Sequence, residues 1–387
     1  MDISKNYHPI IIIGAGISGL STAYHLNKFG FDKLKIISDP NVSQSHQLEG
    51  AYVIGGSWSN FTRISHARGF VDAANIWQFG DQAFDSVEEF CSNHPEVIWE
   101  KGQRMRLICS DHELQEAQLA VSQLSKTTSG VELCAPSKFS GLHNQRCLAV
   151  QVDGQRGAYV NAKTFLRALR SHVKQTIIEG KVVQINELAN GVEIQLENGL
   201  RYMTEMLVVT AHHSIGDLIP NLKNAVIPVA DQCLEIILET KTKQQESILS
   251  AGNFLSANHG YEWTVCHENQ YISGGCRYLR RHGGVGDSFP RYLKNVEQKI
   301  IEQFMGIYQT RVKTFKTGYV GTDIYPCDEL PLIGPMYGSS KILVATGYMG
   351  QGVSYGFYVG KCLTELALTG KSDHLPRIFW PERLRSL

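Results

Sequence analysis

The chain has 387 residues, 43% hydrophobic and 19% charged, an ordinary composition for a folded enzyme and a length that favours two cores over one. Lysine plus arginine and aspartate plus glutamate both number 37, and this balance argues against a nucleic-acid partner or a polybasic membrane surface. No apolar run approaches the ~20 residues of a membrane span, the polar start Met1-Asp-Ile-Ser-Lys-Asn is unlike a signal peptide, and nine scattered cysteines without a CxxC pair read as reduced thiols of a cytoplasmic protein.

Residues 10–19 read Ile-Ile-Ile-Ile-Gly-Ala-Gly-Ile-Ser-Gly. The apolar run Pro9–Ile13 predicts a central parallel strand, and the residues from Ser18 to Phe29 predict a helix ended by Gly30. Between them Gly14 allows a tight turn, Gly16 lets a ligand approach the backbone, and Gly19 lets the helix pack closely on the strand. That arrangement suits a dinucleotide pyrophosphate lying on the helix start, on the amides of Ile17 and Ser18. The same glycines would also serve a purely structural turn. A second strand, Leu34–Ile37, closes the βαβ unit, with Asp39, or Ser38 in the more usual slot, as the residue for the ribose hydroxyls.

Residues 71–93 predict a helix with Ala73, Ile76, Trp77, Ala83, Phe84, Val87 and Phe90 as its apolar stripe. Met105–Cys109 reads as a strand and Asp111–Leu124 as a helix with Asp111 at its N-cap. Residues 128–150 read as irregular. Asn161–Val173 reads as a helix, followed by strands near 181–186, 192–196 and 206–210 with Asn190-Gly and Asn198-Gly as turns. Residues 226–237 and 261–275 alternate like strands, and Phe289–Met305 reads as a helix. Regular βα alternation stops after the first unit. The predicted class is therefore α/β plus α+β, a Rossmann-like domain interrupted by an antiparallel-sheet domain.

Near the C-terminus, strand Lys341–Ala345 leads into Thr346-Gly-Tyr-Met-Gly-Gln-Gly-Val-Ser-Tyr-Gly-Phe and then a helix over Gly356–Leu368. Glycines at 347, 350, 352 and 356 just before a helix again indicate backbone close to a ligand, though a merely flexible loop has the same composition.

Taken together, these segments resemble the FAD-dependent amine and amino-acid oxidase family that includes D-amino-acid oxidase, glycine oxidase and monomeric sarcosine oxidase, over nearly the whole length. The resemblance rests on Gly14-x-Gly16-x-x-Gly19, on Gly56-Ser-Trp-Ser-Asn-Phe-Thr-Arg63-Ile, and on Gly274-Gly275. It rests also on Gly321-Thr-Asp-Ile-Tyr-Pro-Cys-Asp328-Glu-Leu-Pro331-Leu-Ile-Gly334, on Gly347-Tyr-Met-Gly350-Gln-Gly352, and on Pro381-Glu-Arg383. It implies a discontinuous FAD-binding domain over residues 1–80, 150–220 and 320–387, and a substrate domain over 81–149 and 221–319. It implies FAD contacts at Gly14, Gly16, Ile17, Ser18, Gly19, Ser38, Asp39, Ser57, Thr62, Arg63, Val182, Gly347, Gly350, Gln351, Gly352 and Val353, and no metal.

The departures also carry information. Gly321 stands where sarcosine-oxidase relatives attach the flavin through cysteine, so non-covalent FAD is expected. Ile272 replaces their oxygen-activating lysine, and His66 and Ser354 replace their carboxylate binders. Asp323 stands near the position where D-amino-acid and glycine oxidases carry an arginine. Thr210-Ala-His212-His213 replaces a small pair with glycine. Arg277, Arg104 or Arg106 could supply a substitute for the missing clamp, or each could be a solvated surface arginine. Arg63 is the expected positive charge beside the flavin, or else a member of a surface salt bridge, and His66 a base or anion partner. Tyr348, Tyr325 and Trp58 are expected to line the substrate pocket, or else to be core aromatics. The implied reaction is hydride transfer from an amine-bearing carbon to flavin N5, with oxygen or another acceptor taking the electrons. Oxidation of a 2-hydroxy acid on the same scaffold, and a flavin-binding but non-catalytic subunit, are the alternatives.

Overall fold

Four consecutive isoleucines fit only a strand covered on both faces. The computed structural model places Ile10–Ile13 in the strand Tyr7–Ile13, each almost sealed from solvent. The structure describes residues 6–41, 50–127, 130–139, 147–238, 252–268, 270–308 and 311–385. The chain forms two units, one of Met1–Ser45, Leu166–Pro228 and Asp323–Leu387, the other of His46–Phe165 and Val229–Thr322. Residues 46–80, 150–165 and 320–322, expected with the nucleotide portion, lie in the second unit, and 221–228 in the first.

In the first unit Tyr7–Ile13 pairs in parallel with Leu34–Ser38 on one side and with Arg201–Val209 on the other. Leu34–Ser38 pairs onward with Ile177–Glu179. Arg201–Val209 forks. Its first half pairs antiparallel with Gly191–Leu196 and its last residues pair in parallel with Ile342–Thr346. The Asn190-Gly and Asn198-Gly turns join Val182–Leu188, Gly191–Leu196 and Arg201–Val209 as expected.

Two helices of this unit, Ile17–Lys28 and Ser354–Thr369, pack through small residues. A Cβ on Gly360 would collide with the Ser21 side chain, and one on Gly356 would lie 3.1 Å from Ser18 Oγ. In the space so left, Ser21 donates to the Phe357 carbonyl at 2.5 Å and Thr364 to the Thr22 carbonyl at 3.1 Å. Two of the recognised segments also meet here. Arg383 grips Asp328 with Nε and Nη2 at 2.7 and 2.9 Å and donates to the carbonyls of Leu330 and Pro331.

The second unit is built on a sheet in the order Val312–Pro326, Val226–Leu238, Gln270–Gly275, Glu262–His267, Phe254–Ala257, Arg104–Ile108, Ala149–Asp153, Val131–Cys134. The period-2 alternation of strands divides its side chains cleanly. Met105, Leu107, Val150, Val152, Leu234, Ile236, Leu255, Cys266 and Tyr271 form one face, sealed by Val296, Ile300, Phe304 and Tyr308 of the helix Lys294–Tyr308. The residues between them, among them Arg104, Arg106, Asp153, Cys233, Phe254, Trp263 and Ile272, belong to the other face. A small sheet of Ala51–Ile54, Gly157–Val160 and Trp99–Gly102 completes the unit with the helices Phe61–Arg68, Phe70–Ser92 and Asp111–Leu124.

Several expected boundaries move. The helix expected from Phe289 begins at Lys294. Ser110, not Asp111, caps the next helix: it accepts from Glu113 N at 3.2 Å while Glu113 accepts from Cys109 N at 3.0 Å. Residues 261–275 make two strands, and the stretch read as irregular holds Val131–Cys134 and the start of Ala149–Asp153. Residues 128–129 and 140–146 of that stretch lie outside the described residues. No helix among the described residues is long and apolar enough to cross a membrane.

A Cβ on Gly19 would run into the Gly14 carbonyl. Gly19→Ala is therefore expected to lower the unfolding free energy by ~1–3 kcal/mol, the usual range for overpacking, as measured by urea unfolding. An unchanged transition would show that the helix is not seated so closely on the turn.

Candidate functional site

The turn after the first strand has one tight glycine on each side of an open one. Gly14 sits at φ +105, where a Cβ would be 2.6 Å from the Thr210 carbonyl oxygen, and its N–H donates to Ile37 O at 2.8 Å. Gly16, by contrast, has nothing within 4 Å of where a Cβ would stand. It is the N-cap of the helix Ile17–Lys28, and that helix has neither a side-chain cap nor an acidic residue in its first turn. A positive helix end with an open space at its cap fits a pyrophosphate. Leu34–Ser38 ends beside it in the sheet order. Ser38 offers its carbonyl to Gly180 N at 2.9 Å, and Asp39 follows, half-buried, accepting from Asn41 N at 2.9 Å. Val182 is buried at the start of its strand.

The glycine loop of the same unit turns through left-handed residues, Gly347 at φ +78, Met349 at +49 and Gly350 at +87. Gly347 packs where a Cβ would strike the Pro326 ring. Gln351 is buried, its N–H donating to the Tyr348 carbonyl at 2.9 Å, and Val353 caps the helix Ser354–Thr369, which again lacks a side-chain cap and a first-turn acid. Tyr348, expected at the substrate, has its hydroxyl 2.8 Å from Ser18 Oγ. Burial pushes its phenol above the ordinary range. Tyr325 is half-buried in this unit.

In the second unit the segment Gly55–Ser59 is held by two buried guanidiniums. Arg104 and Arg106 stand two residues apart on one strand, 1% and 8% exposed. Arg104 donates to the carbonyls of Gly55 and Ser57. Arg106 donates to those of Ser57 at 3.0 Å and Ser59 at 3.4 Å. Their Nε atoms lie 3.4 and 3.7 Å from Oδ2 of the buried Asp153, whose other oxygen accepts from Gln151 at 2.6 Å. Burial, then the neighbouring Arg104 charge, pushes Arg106 down to about 9. Gly56 N–H donates to Asp81 at 2.9 Å, and burial raises that carboxyl to about 6 against the pull of Arg156 and Arg104. The expected substitutes for the missing clamp, Arg104 and Arg106, thus serve the backbone of this segment.

Asn60 caps the helix Phe61–Arg68 by accepting from Thr62 N at 2.9 Å. The buried Thr62 hydroxyl donates to Glu116 O at 2.8 Å. Arg63 is 42% exposed and pairs with the Glu116 carboxylate through Nε at 2.9 and 3.0 Å, while its Nη2 meets His259 Nδ1. His259 has a left-handed backbone, φ +56, fixed by its N–H donating to the buried Glu113 at 2.9 Å. Burial holds its imidazole below the ordinary range despite Glu113. Ser59, Arg63, Arg106, Glu113, Glu116 and His259 line a cleft. His66 is exposed in the last turn of its helix.

Beside this cleft lies an aromatic surface. Tyr52, Trp58, Trp263 and Tyr319 pack, half-buried, on Ile54, Phe254 and Ile272. Tyr52 is 4.8 Å from Phe254, 4.9 Å from Trp263 and 5.7 Å from Trp58 between ring centroids. Gly274 makes room for it, since a Cβ there would be 2.5 Å from Trp263 Cζ2. Of this group sequence reasoning found only Trp58. The signal it missed was Trp263 on the same parity as Ile272 in an alternating hairpin. Arg277 lies over the Tyr261 ring at 4.9 Å. Among the described residues no group of three or more His, Cys, Asp or Glu is placed to hold a metal.

A family model described as DAO, FAD dependent oxidoreductase, matches residues 9–366. No curated protein matches the chain by sequence. Among solved structures the chain is similar to glycine oxidase from Geobacillus kaustophilus, at 13% identity and TM-score 0.76 over 97% of this chain and 98% of that one. It is similar to iminodiacetate oxidase from Chelativorans sp. BNC1, at 15% identity and TM-score 0.72 over 96% and 98%. It is similar also to L-proline dehydrogenase from P. horikoshii, at 14% and 0.73 over 98% of each chain.

Because a Cβ at Gly16 meets no protein atom within 4 Å, Gly16→Val is expected to keep the unfolding midpoint of the cofactor-stripped protein close to that of the parent and to lose bound dinucleotide. The holoprotein should then lose its ligand-derived stabilisation, ~3–4 kcal/mol where ligand exceeds its Kd by a hundred- to a thousandfold. The checks are flavin absorbance per protein and melting with and without cofactor. Full occupancy in the variant would remove the pyrophosphate from this turn.

Proposed function

The chain belongs to the family of FAD-dependent oxidoreductases, and we propose that it oxidises a C–N bond of an amine or amino-acid-like substrate. The observation that carries this reading is the open Gly16 at an uncapped helix end, within a match spanning residues 9–366. The oxidase and dehydrogenase neighbours that act on amino acids or iminodiacetate support the C–N choice. When bound, FAD supplies the hydride acceptor for the amine-bearing carbon, and oxygen or another acceptor then takes the electrons.

The chain's own residues divide the work. Gly14, Gly16 and Gly19, with the amides of Ile17 and Ser18, hold the pyrophosphate, and Asp39 or Ser38 holds the ribose, with Val182 beside the adenosine end. Gly347, Gly350, Gln351, Gly352 and Val353 supply a second stretch of close backbone. Ser57 acts through its hydroxyl, because its carbonyl is taken by Arg104 and Arg106, and Thr62, whose amide and hydroxyl go to Asn60 and Glu116, shapes the segment beside the cofactor. Arg63 is the positive group that favours the reduced cofactor, tempered by Glu116. Tyr348 fixes the glycine loop to the start of the pyrophosphate helix. Substrate contacts belong to Trp58 and its aromatic neighbours and to Arg277 in the second unit, and to Tyr325 in the first. His66, exposed, is a secondary anion partner. Attachment of FAD is non-covalent, since Gly321 offers no sulfur, and nine free cysteines fit a cytoplasmic setting.

Acid precipitation is expected to release FAD to the supernatant, and anaerobic mixing with amines or amino acids to bleach the flavin. Bleaching by 2-hydroxy acids alone would move the reaction to C–OH, and bleaching by nothing would leave a flavin-binding subunit. Arg63→Ala and Arg63→Lys are both expected to bind FAD and to slow flavin reduction by ~10- to 1000-fold, alanine the more, with a lower midpoint potential. Stopped-flow reduction and redox titration check this. An unchanged rate and potential would reduce Arg63 to a partner of Glu116.

A further inference from the structure

The second unit holds two patches of opposite chemistry side by side. On the charged patch, three guanidiniums, Arg63, Arg104 and Arg106, stand against three carboxylates, Glu116, Asp153 and Glu113. Arg63 Nε goes to Glu116 and its Nη2 to His259, Arg104 and Arg106 donate through Nη to the carbonyls of Gly55, Ser57 and Ser59, and the Nε atoms of both face the Asp153 carboxylate at 3.4 and 3.7 Å. Arg277 covers Tyr261, and the buried Arg280 donates to Gln232 at 2.8 Å and to the Arg291 carbonyl at 3.1 Å. A substrate carboxylate entering here would gain no net positive potential and would have to displace existing hydrogen bonds. The adjoining patch is Tyr52, Trp58, Trp263 and Tyr319 on a floor of Ile54, Phe254 and Ile272, with Gly260 joining the two patches beneath the Trp58 indole. Ring faces attract an ammonium group and stack on another ring, and the hydrocarbon floor favours apolar substituents.

Resting on the reading of the chain as a C–N oxidoreductase, we infer that its substrate is an amine bearing an aromatic or bulky apolar substituent and no carboxylate of its own, seated on Tyr52, Trp58, Trp263 and Tyr319. The family-type departure at Asp323 then follows from substrate class, since no carboxylate remains to be clamped.

The test uses the FAD-loaded protein with 2-phenylethylamine, phenylalanine, ethylamine and glycine as probes, read by tryptophan fluorescence for binding and, separately, by anaerobic bleaching. The expected result is that 2-phenylethylamine binds at least about tenfold more tightly than phenylalanine and than ethylamine, on the scale of one well-formed aromatic contact. Trp263→Ala should weaken it by about tenfold, while Trp263→Phe, which keeps a ring and guards against a folding defect, should retain most of it. Tighter binding of phenylalanine or glycine, no binding of 2-phenylethylamine, or binding indifferent to Trp263→Ala overturns the inference. Bleaching by amino acids with that reversed order would sink the inference and leave the C–N reading intact. The expected binding order with no bleaching by any probe would uphold the site and sink the C–N reading.

Discussion

The first unit depends on a backbone-to-backbone approach that only glycine permits. At Gly19 a single added carbon would enter the Gly14 carbonyl, and at Gly14 it would press on Thr210. The helix Ile17–Lys28 therefore sits directly on the end of its strand, and its uncapped start is left at the open face of Gly16. Ser21, Thr22 and Gly360 extend the same economy of side chain along the helix, so that Ser354–Thr369 can lie against it with hydroxyl-to-carbonyl bonds. Small residues here lose little side-chain entropy on folding and keep the packing dense.

The second unit solves a different problem. Gly55–Ser59 runs without strand partners for its carbonyls at 55, 57 and 59, and buried carbonyls need donors. Arg104 and Arg106 provide them, and Asp153 offsets the resulting charge. Burying three ions costs desolvation that their attraction only partly returns. The arrangement persists because removing any one member would leave a buried charge or a buried carbonyl unmatched. The alternation that places these arginines on one face of the strand also places Met105 and Leu107 on the other, where the helix Lys294–Tyr308 covers them.

Two recognised motifs prove architectural. Asp328 and Arg383, far apart in the chain, form a two-point ion pair within the first unit, and Gly334, at φ +128, lies where a Cβ would be 3.0 Å from Trp380 Cδ1. These residues serve the fold, and their presence alone carries no reaction chemistry.

Sequence by itself determined the local events. The strand–turn–helix at residues 10–28, the hairpin turns at Asn190-Gly and Asn198-Gly, the helices of residues 71–93 and 111–124, and the mixed fold class follow from periodicity and from glycine's conformational freedom, which act over a few residues. The helix over Asp111–Leu124 keeps its expected bounds with Ser110 in place of Asp111 as its cap, while the start expected at Phe289 lies at Lys294. What only the tertiary structure decided is which side chains meet. Arg63 reads as a lone cation until Glu116 and His259, distant in sequence, arrive beside it. Arg104 and Arg106 read as surface charges until the fold buries them against Gly55–Ser59. Tyr52, Trp263 and Tyr319 read as scattered aromatics until three strands bring them onto one face. Charge and ring contacts of this kind are set by strand order and register, which no short window of residues contains.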